Sequence, residues 1–155
     1  MVKIGVDSSG HVTNPPIWFV ATRRSRKKGQ MKSTLYVSKK KHDELIAPFK
    51  PRFEKVSAAL IYKVVVPIFY EGDVLVIDKD FAPSSEKYIE KYLKKLLGET
   101  YPKRQLMANP AIFFLRDIHD VAVKDAHIKT QQLRHKNLKR VIRDPSLSWE
   151  LRKLG

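Results

Sequence analysis

The chain has sixteen Asp and Glu residues, and most, such as those from Glu86 to Glu99, lie among lysines as on a solvated face. Four others stand apart. Asp7 ends the apolar run of Val2, Ile4 and Val6 in "KIGVDSSG", where it can start a turn through its own side chain or serve as a ligand. Glu54 follows Pro51 at the start of a helical pattern, on the edge of an arc with Ala58, Ile61 and Val65. There it either complements the helix dipole or faces a site. Asp78 ends "VLVID", with Asp80 two residues on, and the ends of strands in mixed sheets are frequent ligand sites. Asp125 falls beside Val121, Ala122 and Ile128 on a helical wheel, whereas Asp120 and His127 share a more polar face with Lys124. An acid on the apolar side needs either a basic partner or a metal.

If the elements carrying these four acids converge, several carboxylates face one another, and a divalent cation would relieve their repulsion. Oxygen donors of this kind select Mg²⁺ or Mn²⁺ over zinc. With no cysteine, thiolate zinc sites, thiol nucleophiles and disulfides are excluded.

The elements that must position these groups follow from periodicity. Residues 2–7, 17–22 and 33–38 read as three strands, the last two joined by a basic, glycine-bearing connection. Phe53, Val56, Leu60 and Val64 then recur at helical spacing until Pro67 and Gly72. Residues 74–77 form a buried strand, a helix runs from Ser84 or Ser85 to Gly98, and residues 111–115 form a fifth strand. A last long helix starts between Asp117 and Asp120 and reaches about His135, before a basic tail with room for a short helix. The order β-β-β-α-β-α-β-α predicts one α/β domain over residues 1–155. It has a mixed five-stranded sheet covered by helices and a basic C-terminal tail over about 138–155. Trp18, Phe19 and Tyr36 alternate along the strands and read as core.

This element order and these four acids resemble the ribonuclease H-like superfamily, which includes ribonucleases H, Holliday-junction resolvases of the RuvC type and retroviral-type integrases. "KIGVDSSG" is similar to its first-strand motif, "FEKVSAALIYK" to its first helix with an early Glu, and "VLVIDKD" to its fourth strand ending in Asp. "VKDAHIKTQQL" supplies an Asp in the final helix, with Asp120 the competitor for that role. The resemblance spans residues 2 to about 137 and implies phosphodiester hydrolysis with two Mg²⁺ or Mn²⁺ ions. Asp7, Glu54, Asp78 and Asp125 would be ligands and catalytic groups, with Asp7 between the ions. His119 and His127 then lie near Asp125 as proton carriers or as exposed helical residues.

Charge points to a partner. Thirty-one Lys and Arg give a net charge of +15, an excess that favours nucleic acid, DNA or RNA. Two tracts concentrate it: Arg23, Arg24, Arg26, Lys27 and Lys28, and then Lys129, Arg134, Lys136, Lys139 and Arg140. Two function classes follow. One is a metal-dependent endonuclease acting on structured nucleic acid, either RNA–DNA hybrid or branched DNA. The other is a non-catalytic nucleic-acid-binding or ribonucleoprotein component, which has no reason to gather acids beside phosphates. Neither a membrane span nor a secretory signal is visible, so the expectation is a cytoplasmic monomer or homodimer.

Overall fold

In the computed structural model, the described residues are 2–9, 17–46, 53–100, 111–116, 120–132 and 141–155. They form an α/β structure whose sheet has six strands in the order β5-β4-β1-β2-β3-β6. Strands β1 (Lys3–Ser9), β2 (Ile17–Ser25) and β3 (Gly29–Val37) make an antiparallel meander. Strands β4 (Val74–Asp78) and β5 (Ile112–Leu115) extend it in parallel from β1.

The sixth strand, β6 (Val141–Arg143), lies parallel to β3 within the segment expected to be a tail. It adds one strand to the five predicted. Its three residues are too few to show a period of two, so the sequence pattern gave no sign of it.

The second and third strands are also longer than their apolar cores. Ser25 pairs with Gly29 across a turn of Arg26, Lys27 and Lys28. Gly29 has φ +65°, the left-handed residue that closes a three-residue hairpin loop. The Ser25 hydroxyl accepts the Lys28 amide at 3.1 Å.

Helices divide between the two faces. Helix α2 (Phe53–Val65) buries Val56 through Tyr62 and both Val64 and Val65. It sits between the sheet and α3 (Pro83–Thr100), which contributes Ile89, Leu93, Leu96 and Leu97. A 3-10 turn over Val66–Ile68, containing Pro67, ends α2. Helix α5 (Ser148–Leu154) packs on the same layer: Lys63 meets buried Glu150 at 2.7 Å, and Trp149 stacks on Tyr62. The short α1 (Lys39–Ile46), with His42 and Leu45 buried, was not anticipated among the lysines.

Helix α4 (Val121–Gln132) takes the opposite face. Ile4, Val6, Leu75 and Ile77 point into the α2 layer, whereas Val74 and Val76 pack on Val123 of α4. Gly5 explains how close α4 comes. A Cβ there would stand 1.9 Å from the Ala122 carbonyl oxygen and 2.8 Å from the Val123 nitrogen. This contact fixes the helix rotation: Val123 and Ala126 are buried, while Val121 and Ile128 are exposed. The apolar side expected from the wheel thus faces outward. No helix among the described residues is long and apolar enough to cross a membrane.

Candidate metal centre

Alternation along β1 puts Gly5 and Asp7 on the α4 side, and alternation along β4 puts Val74, Val76 and Asp78 there too. The parallel register pairs Val6 with Ile77, so Asp7 and Asp78 stand side by side at the carboxyl ends of adjacent strands. Asp80 joins them after a tight turn in which its amide donates to the Asp78 carbonyl at 2.9 Å. One oxygen from each of Asp7, Asp78 and Asp80 lies within 4.8 Å of the others. Asp7 is buried, Asp78 half-buried and Asp80 exposed, so the group opens to solvent on one side.

Three carboxylates this close repel one another, and a divalent cation offsets that repulsion. The donors are all hard oxygens at a solvent-accessible strand end, which fits Mg²⁺ or Mn²⁺ and not a thiolate-seeking ion. Asp7, Asp78 and Asp80 are the residues that would hold such an ion.

The other predicted ligands are placed elsewhere. Glu54 approaches from the α2 layer and accepts a hydrogen bond from the Ser85 hydroxyl at 3.3 Å. Asp125 meets Arg24 at 3.5 Å. Asp120 caps α4, its Oδ1 accepting the amides of Ala122 and Val123 at 2.8 and 3.4 Å, and its Oδ2 pairs with Lys3 at 3.0 Å. Lys3 is four residues before Asp7, about 13 Å along the strand. Neither last-helix acid therefore belongs to the three-carboxylate group.

From α4 it is His127 that touches the site. Its Nδ1 lies 3.2 Å from Asp7 Oδ2, although the wheel had put it on the polar face. The one signal for this in the sequence is Gly5 inside an apolar strand, since a mid-strand glycine often marks a close backbone approach.

Of the basic residues, Arg23 does not face solvent. It is buried against Asp73, with Nε and Nη2 donating at 2.7 and 3.1 Å, and its guanidinium lies 4.6 Å from the centre of the Tyr70 ring. The Asp73 hydrogen bonds hold its pKa above the ordinary arginine value, against burial, which pushes it down. Arg23 shares the core side with Ala21 and Phe19, and a charge run cannot reveal that alternation.

Arg24, Arg26, Lys27 and Lys28 are exposed, and Lys28 rests over Tyr70 at 4.3 Å. Because Asp7 pairs with Val20 and Ile4 with Arg23, the hairpin tip lies at the far end of the sheet, roughly 17 Å or more from Asp7. Lys129 is half-buried in the last turn of α4. Arg134, Lys136, Lys139, Arg140 and His119 lie outside the described residues.

No protein-family model matches the chain, and no significant match was found among curated proteins or solved structures.

Proposed function

We propose that the protein is a metal-dependent nuclease of the ribonuclease H-like type, cutting phosphodiester bonds in structured nucleic acid. The observation that carries this reading is the meeting of Asp7, Asp78 and Asp80 at the ends of two adjacent parallel strands. Support also comes from the element order, three meander strands and then alternating helices and strands, and from the +15 charge.

Bound Mg²⁺ or Mn²⁺, two ions by the resemblance, would supply an activated water and neutralise charge at the phosphorus. The chain's own part is positioning. Burial between strands and the contact with His127 hold Asp7 in one orientation, while Asp78 and Asp80 face the solvent from which substrate arrives. Exposed Arg26 and Lys27 hold a distal stretch of backbone, which sets affinity and register without reading sequence. The competing reading, a binding component without catalysis, draws on the same charge but gives no account of acids gathered where phosphates would lie.

The test is a cleavage panel of RNA–DNA hybrid, four-way junction, single strand and blunt duplex, with Mg²⁺ or Mn²⁺. Asp7→Asn is expected to abolish cleavage and leave binding intact or tighter. Either ion is expected to raise the thermal midpoint of the wild type but not of this variant, because only a folded-state ligand stabilises. Inactivity of the wild type across the panel would refute the enzyme reading. Activity retained in Asp7→Asn would refute the site.

A further inference from the structure

Trp18 and Tyr36 are not core residues. Ile17, Phe19, Leu35 and Val37, their neighbours along β2 and β3, are essentially fully buried in the α2 layer. The alternate positions turn Trp18 and Tyr36 to the other face, where both remain half-exposed and belong to neither apolar cluster. Asp7 pairs with Val20, Ser9 with Trp18 and Trp18 with Tyr36. The two rings therefore occupy the same face as Asp7, two residues on, with Trp18 one strand across and Tyr36 two. Standard strand spacings put these offsets on the order of 8 Å for Trp18 and 12 Å for Tyr36.

The rings touch, with centroids 4.5 Å apart and planes inclined by 48°. Arg143 of β6, exposed, places its guanidinium 5.7 Å from the Tyr36 centroid. The following residue locks this arrangement. Asp144 has φ +43°, a left-handed conformation that needs support in a non-glycine residue. Its amide donates to the Tyr36 carbonyl at 2.9 Å, and its Oδ1 accepts the Ser38 amide at 2.7 Å. The short β6 thus carries Arg143 to a fixed place beside the rings.

We propose that Trp18, Tyr36 and Arg143 form a stacking platform for an unpaired nucleobase next to the phosphate that lies at Asp7. The substrate is then nucleic acid with a single-stranded or unstacked segment adjoining the cut, such as a branch point, and not a continuous duplex. This deepens the nuclease reading and rests on it. Half-exposed aromatic faces bind bases because every base has a π-face, and a guanidinium adds cation–π attraction and a phosphate contact. In a fully paired duplex the bases stack on each other and offer no such face. A strongly cationic chain with Arg143 beside the rings favours this occupant over an apolar peptide.

Binding is measured in EDTA, without cleavage, in a Trp149→Phe background that leaves Trp18 as the sole tryptophan. The probes are a short oligothymidylate and a blunt duplex of equal length. The oligothymidylate is expected to quench Trp18 fluorescence and the duplex to leave it largely unchanged. Trp18→Ala is expected to weaken oligothymidylate binding by about 5- to 150-fold, the range of one lost base stack, with much less effect on the duplex. Binding without quenching, equal quenching by duplex, or unchanged affinity in a folded Trp18→Ala protein would overturn the platform. The quenching arm needs no change at Trp18, so a misfolded Trp18→Ala protein still leaves a decisive result. Quenching in EDTA together with no cleavage in the metal panel would refute the nuclease reading and leave the platform standing.

Discussion

Gly5→Ala is the substitution whose consequence follows most directly from the packing. The new Cβ would lie 1.9 Å from the Ala122 oxygen and 2.2 Å from its carbonyl carbon, where real contacts do not fall below 3.0 Å. Helix and strand must therefore separate by at least about 1.1 Å. No rotamer change relieves this, because the obstructing atoms are backbone. Strand β1 cannot retreat either, since β2 and β4 pair it on both sides and Ile4 and Val6 are buried beneath it. Helix α4 has to lift, opening the contacts of Val123 and Ala126.

Overpacking of this kind costs about 1–3 kcal/mol, and a backbone obstacle belongs at the upper end. A loss of about 3 kcal/mol would lower the thermal midpoint by roughly 6–12 °C in a chain of this size. Urea unfolding gives the loss directly, and hydrogen exchange locates it, with α4 amides losing protection before those of β1 and β4. The 3.2 Å contact of His127 with Asp7 should break as well, visible as a shift of the imidazole proton resonances. Adding Ala122→Gly is expected to restore nothing, because it removes a Cβ and leaves the carbonyl in place. A stability loss below about 1 kcal/mol, or rescue by Ala122→Gly, would refute this account of α4 docking.

Other outcomes follow from the charged and polar groups of the opposite layer and of the hairpin tip. Asp73→Ala leaves Arg23 buried without its carboxylate and should cost about 3–5 kcal/mol. By contrast, Arg26→Ala should change stability by less than about 0.5 kcal/mol yet lower the salt slope of nucleic-acid binding by about 1. Denaturation and salt titration of the two variants check both, and the opposite pattern would return Arg23 to the phosphate-binding set. Burial raises the Tyr62 pKa, the Thr100 hydroxyl opposes the rise, and Glu150 adds to it. The native state therefore holds the phenol proton more tightly than the unfolded chain. Its contribution is fully present below about pH 10, the unfolded value, and is lost as pH rises through the folded pKa. Tyr62→Phe should flatten the alkaline decline in stability, and an unchanged decline would show that other groups set it.

How far the sequence can be read depends on what makes each pattern. The order of the principal strands and helices was legible because burial imposes periods of two and 3.6 on apolar residues. Asp7 and Asp78 stood out because each ends such a run, and the parallel pairing of Val6 with Ile77 then brings them together. Patterns made of charge carried less. Strands β2 and β3 continue through Arg23, Arg24, Gln30 and Lys32, where the alternation is between a buried ion pair and solvent and the residue types barely change. The orientation of α4 was hidden for a different reason. Its buried side is set by how near the backbone can come over Gly5, so Val123 and Ala126 turn inward although Val121 and Ile128 make an equally apolar arc.

The buried acids separate structural from functional demand. Asp73 meets Arg23 at 2.7 Å, Asp120 meets Lys3 at 3.0 Å, and Glu150 meets Lys63 at 2.7 Å. Each puts a carboxylate against a Lys or Arg, as expected where a buried charge must be offset. Asp7 is equally buried, yet it faces His127 and lies among Asp78 and Asp80. Three acids gathered at one strand end repel one another, and that repulsion has to be offset. A bound divalent cation, as proposed above, would offset it and would join the two halves of the proposed chemistry. The ion that relieved the repulsion among the acids would also turn an anionic cluster into a surface that accepts phosphate, on the sheet face that carries the proposed platform of Trp18 and Tyr36.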